Sequence, residues 1–123
     1  MTSIKSYRDL LVWQKAIQIS VEVYKITKMF PSEELFGLTN QIRRASNSIS
    51  LNIAEGYGRH TTKSYVNYLV TSRATLYEVE SGMFLAKELE LTTESAIQKL
   101  KVLLEEESKM LASLIKSLTN KIH

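Results

Sequence analysis

The chain has no cysteine in its 123 residues, which excludes a disulfide-stapled module, a cysteine nucleophile and a thiolate zinc site. It has one proline and four glycines, so little interrupts a helix, because these are the residue types that break one. It has two histidines, His60 and His123. Neither stands three residues after a glutamate, the spacing that a di-iron helical bundle requires. Both read as solvated side chains, and neither a metal nor a cofactor is expected. No apolar run approaches the roughly 18 residues of a membrane span. The first apolar stretch, Leu10-Leu11-Val12-Trp13, is bounded by Asp9 and Gln14-Lys15, far short of a secretory core. A cytoplasmic protein without membrane association is expected. Charge of one sign is also scarce: 16 Lys/Arg stand against 13 Asp/Glu, and no segment is a basic tail. A net charge of +3 permits a polyanionic partner without demanding one.

What remains is an ordinary globular balance, 44% hydrophobic and 24% charged, in a chain long enough for one core and too short for two. A single all-α domain over residues 1–123 is expected. Apolar residues recur at helical spacing from Leu10 through Trp13, Ile17, Val21, Tyr24 and Met29, with Ile19, Val23 and Ile26 alongside. This predicts a first helix over 7–29, capped by Ser6 with Asp9 in the capping-box position and stopped by Pro31. Ser32 offers the next cap, and Leu38, Ile42, Ala45, Ile49 and Ile53 form the stripe of a second helix over 33–55. Gly56 or Gly58 is expected to end it in the left-handed conformation. Thr61 or Thr62 then caps a third helix over 62–90, with Val66, Leu69, Val70, Leu76, Met83 and Phe84 on its apolar side. Thr93 caps a fourth over 93–119, whose leucine stripe is interrupted at Glu107. Short links imply an up-down-up-down four-helix bundle.

Catalytic patterns are absent. Gly56-x-Gly58 follows no strand and lacks the Walker lysine, and no serine has a histidine and acid pattern around it. The chain is expected not to be an enzyme. The second helix, however, is rich in serine, asparagine and alanine where propensity favours leucine and lysine. Gln41, Arg44, Asn52 and Glu55 on it, with Glu78 and also Arg73 and Glu80 on the third helix, form a candidate inter-helix polar network. Such a layer fixes helix register or a subunit contact, or else lines a ligand groove. For nucleic acid the candidates are Arg43, Arg59, His60 and Lys63 around one end of the second hairpin, with Tyr57 for stacking. The dispersed lysines Lys15, Lys25 and Lys28 of the first helix join them.

Several segments carry a family pattern: Asp9-Leu10-x-Val12-Trp13-x-x-Ala16, Phe30-Pro31-x-x-Glu34-x-Phe36-Gly37-Leu38-x-x-Gln41-Ile42-Arg43-Arg44-Ala45, Ser48-Ile49-x-x-Asn52-Ile53-Ala54-Glu55-Gly56 with Arg59, and Glu78-x-Glu80. The chain thereby resembles the four-helix bundle proteins encoded by intervening sequences in bacterial 23S ribosomal RNA genes, the S23 ribosomal protein family. The resemblance implies a left-handed bundle that assembles as a homo-oligomer, typically a pentamer, in a bacterial cytoplasm. It also implies association with ribosomal RNA or other RNA or DNA without catalysis. The competing expectation is a structural or protein-adaptor oligomer, with a protein partner and no nucleic-acid role.

Overall fold

The computed structural model describes residues 3–122, all helical or irregular, so the reading of His123 lies outside them. Four helices carry the fold: α1 (Leu11–Thr27), α2 (Asn40–Tyr57), α3 (Thr62–Glu88) and α4 (Glu94–Ile122). Each packs on its neighbours in sequence, and α1 closes the bundle against α4. The core is the line of inward residues from all four, among them Ile19, Ile49, Leu69 and Leu100, none of which is exposed.

The first helix is shorter than its periodicity predicts. Ser6 and Asp9 do form the capping box, but it starts a single 3-10 turn, Tyr7–Asp9, after which Leu10 is extended (φ −74°, ψ 126°) and α1 begins at Leu11. The core face also differs. Val12, Ala16, Ile19, Val23 and Ile26 are buried, whereas Ile17, Val21, Tyr24 and Met29 are exposed. Both rows recur at helical spacing, and apolar character alone does not decide between them.

Between α1 and α2 the chain makes a 3-10 turn, Ser32–Glu34, and a wide turn, Leu35–Thr39, broken at Gly37 (φ −109°, ψ −114°). Ser32 caps nothing by its side chain. Glu34 does so instead, its carboxylate accepting from the Leu38 N–H at 3.4 Å. The stripe Leu38, Ile42, Ala45, Ile49, Ile53 is buried as predicted.

Neither glycine after it is left-handed: α2 runs through Gly56, and Gly58 has φ −81°. The reason for Gly56 is close approach, since a methyl group there would sit 2.6 Å from Cβ of Tyr68 on α3. Gly82 serves the same contact from the other side, against Ile42. Thr61 caps α3, accepting from the Ser64 N–H at 3.1 Å. On α3, Leu69, Leu76 and Met83 are buried, but Val70 and Phe84 face outward. Its end is a Schellman turn. The Leu91 N–H reaches the Ala86 carbonyl at 2.9 Å, and Glu90 takes the left-handed conformation (φ 62°) that glycine commonly supplies. Thr93 caps α4 through the Ala96 N–H at 3.1 Å.

Along α4, Glu107 occupies a core position with no exposed surface, and neither carboxylate oxygen has a hydrogen-bond partner among the described residues. Burial pushes its pKa up to about 8 against the opposing pull of Lys15. Beyond Leu111 no described residue of α4 is fully buried. With 29 residues against 17, α4 is longer than α1.

Candidate nucleic-acid interface

The topology sorts the charges along the bundle axis. One end, here the entry end, gathers the start of α1, the α2–α3 turn and the last turns of α4. It brings together Lys5, Arg8, Arg59, Lys63, Lys116 and Lys121, against Asp9 and Glu55 alone. Asp9 is occupied in capping, its carboxylate accepting from the Lys5 N–H at 2.8 Å. The opposite end, residues 22–44 and 78–101, carries seven Lys/Arg and eight Asp/Glu, and the middle is balanced. The modest net charge of the chain is therefore concentrated at one end.

Aromatic rings line the same end. Tyr7 and Trp13 meet edge to face at 5.2 Å with the Arg8 guanidinium 5.9 Å from the Tyr7 ring. Across the turn, Tyr57 stands edge-on to Tyr65 at 6.0 Å, and burial, with Tyr57 beside it, pushes the Tyr65 hydroxyl up to about 12. The Arg59 guanidinium lies 4.8 Å above the Tyr68 ring and donates to its hydroxyl, with Glu55 3.5 Å away. Gly56 makes this cluster possible by letting α3 approach the end of α2. Guanidinium groups over rings, beside lysines without an ion-pair partner among the described residues, are the elements of a surface that tracks a phosphate backbone and stacks bases.

The predicted residues divide between two places. Arg59, His60, Lys63 and Tyr57 share the entry end, and His60 is exposed there. Arg43 does not: it sits at the other end of α2, where its Nε donates to Thr27 Oγ1 at 2.8 Å and its guanidinium covers the Tyr24 ring at 4.6 Å. Lys25 and Lys28 join it around a shallow groove between α1 and α2. Lys15 is tied to Glu106 at 2.9 Å.

The polar network is not formed as a unit. Gln41, Arg44 and Glu78 line one groove between α2 and α3, about 710 Å³, but no ion pair joins Arg44 to Glu78 among the described residues. Asn52 donates to its own helix at Ser48, Glu55 pairs with Arg59, and Glu80 is exposed. Arg73 crosses to α4, its Nε donating to the Ser108 carbonyl at 3.1 Å. Asn52, Glu55 and Arg73 thus find their partners outside the proposed network.

Sequence reasoning missed Lys5, Arg8, Lys116, Lys121 and Tyr68. The signal lay in the up-down topology, which brings residues 5–8, 59–68 and 116–121 to one end even though each segment is ordinary in charge.

Comparison with known proteins gives a consistent answer. The sequence profile of the 23S rRNA-intervening sequence protein family matches residues 8–113. A crystal structure of a protein of unknown function from the S23 ribosomal protein family of Bacteroides thetaiotaomicron superposes with a TM-score of 0.79 at 25% identity, over 86% of this chain and 99% of that one. No curated protein matches. Among the described residues no helix is long and apolar enough to cross a membrane. With a family match over most of its length and the same bundle in a solved relative, the chain belongs to the 23S rRNA-intervening sequence protein family.

Proposed function

We propose that this chain is a non-catalytic scaffold of the bacterial cytoplasm that binds RNA or DNA through the entry end of its bundle and assembles as a homo-oligomer, a ring of five by family resemblance. The observation that carries the reading is the concentration of six Lys/Arg against two Asp/Glu at an end lined by Tyr7, Trp13, Tyr57 and Tyr68. The family name, with its reference to ribosomal RNA, supports the same class of partner.

The test is titration of nuclease-treated protein into labelled structured RNA and duplex DNA at two salt concentrations. Submicromolar binding that weakens steeply with salt is expected. Arg59→Ala with Lys63→Ala should lower affinity about tenfold and reduce the logarithmic salt slope by roughly one for each phosphate no longer neutralised. A folded protein that binds neither polymer at low salt overturns the reading and leaves the protein-adaptor alternative.

A further inference from the structure

The groove between α1 and α2 at the opposite end of the bundle joins an apolar surface to a cationic rim. Val21 and the Tyr24 ring, both exposed, supply the apolar surface beside Ser20, and Lys25, Lys28 and Arg43 stand around it. No carboxylate lines the groove, and none of its three cations has an ion-pair partner among the described residues. Charge at this end is mixed overall, but the groove holds only its positive share.

Arg43 is in place before any ligand arrives. The Thr27 hydroxyl donates to the Val23 carbonyl at 2.8 Å and accepts from Arg43 Nε at 2.8 Å, so it is used in both directions. The guanidinium lies 4.6 Å from the centre of the Tyr24 ring, and Asn47 Nδ2 donates to the Tyr24 hydroxyl at 2.9 Å. With Nε engaged, the terminal Nη groups are the ones that remain for an anion. A guanidinium and a ring already fixed to each other lose little conformational freedom when a ligand meets them.

The face that leads from this groove to the entry end repels no anion. Between Leu11 and Lys28 the one carboxylate is Glu22, which turns to α4 and lies 3.8 Å from Lys99. Between Asn40 and Tyr57 it is Glu55, paired with Arg59. Arg43 stands about 21 Å from Tyr57 along α2 at the helical rise, a span of about six phosphates at B-form spacing.

We infer that the α1–α2 groove is a second nucleic-acid site and that it takes an unpaired segment. Its phosphates meet Lys25, Lys28 and Arg43, a base lies against Val21 and Tyr24, and the strand runs along the α1–α2 face to the entry end. This rests on the proposed nucleic-acid reading and adds the class of strand. A single strand offers the faces of its bases to an apolar surface, whereas a duplex keeps them stacked inside and presents its phosphates. The entry end by itself serves either.

Fluorescence anisotropy with a labelled single-stranded oligothymidylate of about 12 nucleotides, about twice the span, tests the site. Lys25→Ala with Lys28→Ala, both at exposed positions, should lower affinity about tenfold and reduce the logarithmic salt slope by about 1.4, while circular dichroism stays unchanged. An unlabelled duplex of equal length should displace the strand only at about tenfold higher concentration. With 4-thiothymidine in the strand, ultraviolet cross-linking and tryptic digestion should mark a peptide that carries Tyr24. If the strand binds without a cross-link to that peptide, if the lysine variant binds it as wild type does, or if the duplex binds as well as the strand, the groove is not a single-strand site and the entry-end reading stands. A wild-type protein that binds neither strand nor duplex at low salt overturns both.

Discussion

Glu107 is a carboxyl group in an aliphatic layer, with Lys15 on α1 the charge that acts on it. Its folded pKa of about 8 lies well above the ordinary value of 4.5, so the folded chain holds the proton that the unfolded chain has already released. Stability from this group is therefore greatest below about pH 4.5 and falls by as much as roughly 1.4 kcal/mol per pH unit up to about pH 8, where it levels off. Chemical denaturation of wild type and Glu107→Gln across that range measures it. The variant should lose most of the slope, and an unchanged slope assigns the pH dependence elsewhere. Glu107→Leu, which removes the unpartnered oxygens, should be more stable at pH 7 by about 1–3 kcal/mol.

The α2–α3 pair includes close approach at Gly56 and Gly82 as well as packed side chains. At Gly56 an added methyl would meet Cβ of Tyr68, an atom fixed to the α3 backbone, so the helices themselves must part. Gly56→Ala should cost about 1–3 kcal/mol and lower Tm by roughly 5 °C or more. Gly58→Ala is the control: its methyl meets nothing nearer than 3.6 Å and φ is already −81°, so stability should hold or rise slightly. Thermal melts of the two variants decide whether close approach or turn conformation explains this glycine pair. Reading the sequence as a string found four helices, the Thr93 cap and the Ser6–Asp9 capping box, and narrowed the α3 cap to Thr61 or Thr62, of which Thr61 serves, because capping is a local matter of one side chain and a nearby N–H; the Ser6 box, however, opens a 3-10 turn rather than α1. It identified α2's core stripe for the same reason, since the polar residues of that helix leave one apolar face. It chose the wrong face of α1, where two rows of equal periodicity compete and only the packing partners decide between them. The left-handed turn at Glu90 went unseen because a glutamate carries no mark of that conformation.

Charge belongs to the whole molecule in a way that no segment shows. Counted along the chain it is nearly even, yet folding draws cations from three separated stretches to the entry end, where sequence reading had recognised one stretch only. Replacing Lys63 and Lys121 by glutamate should slow association with labelled RNA about tenfold at low salt. Replacing Lys99 and Lys101, an equal change of charge at the opposite end, should alter the rate much less. Stopped-flow association rates make the comparison, and equal effects would mean that net charge rather than its placement governs the encounter. A rod that is most positive at one tip and slightly negative at the other carries a permanent electric dipole along its length. In the field of a polyanion it feels a torque before it feels a contact, so it arrives already turned, tip first.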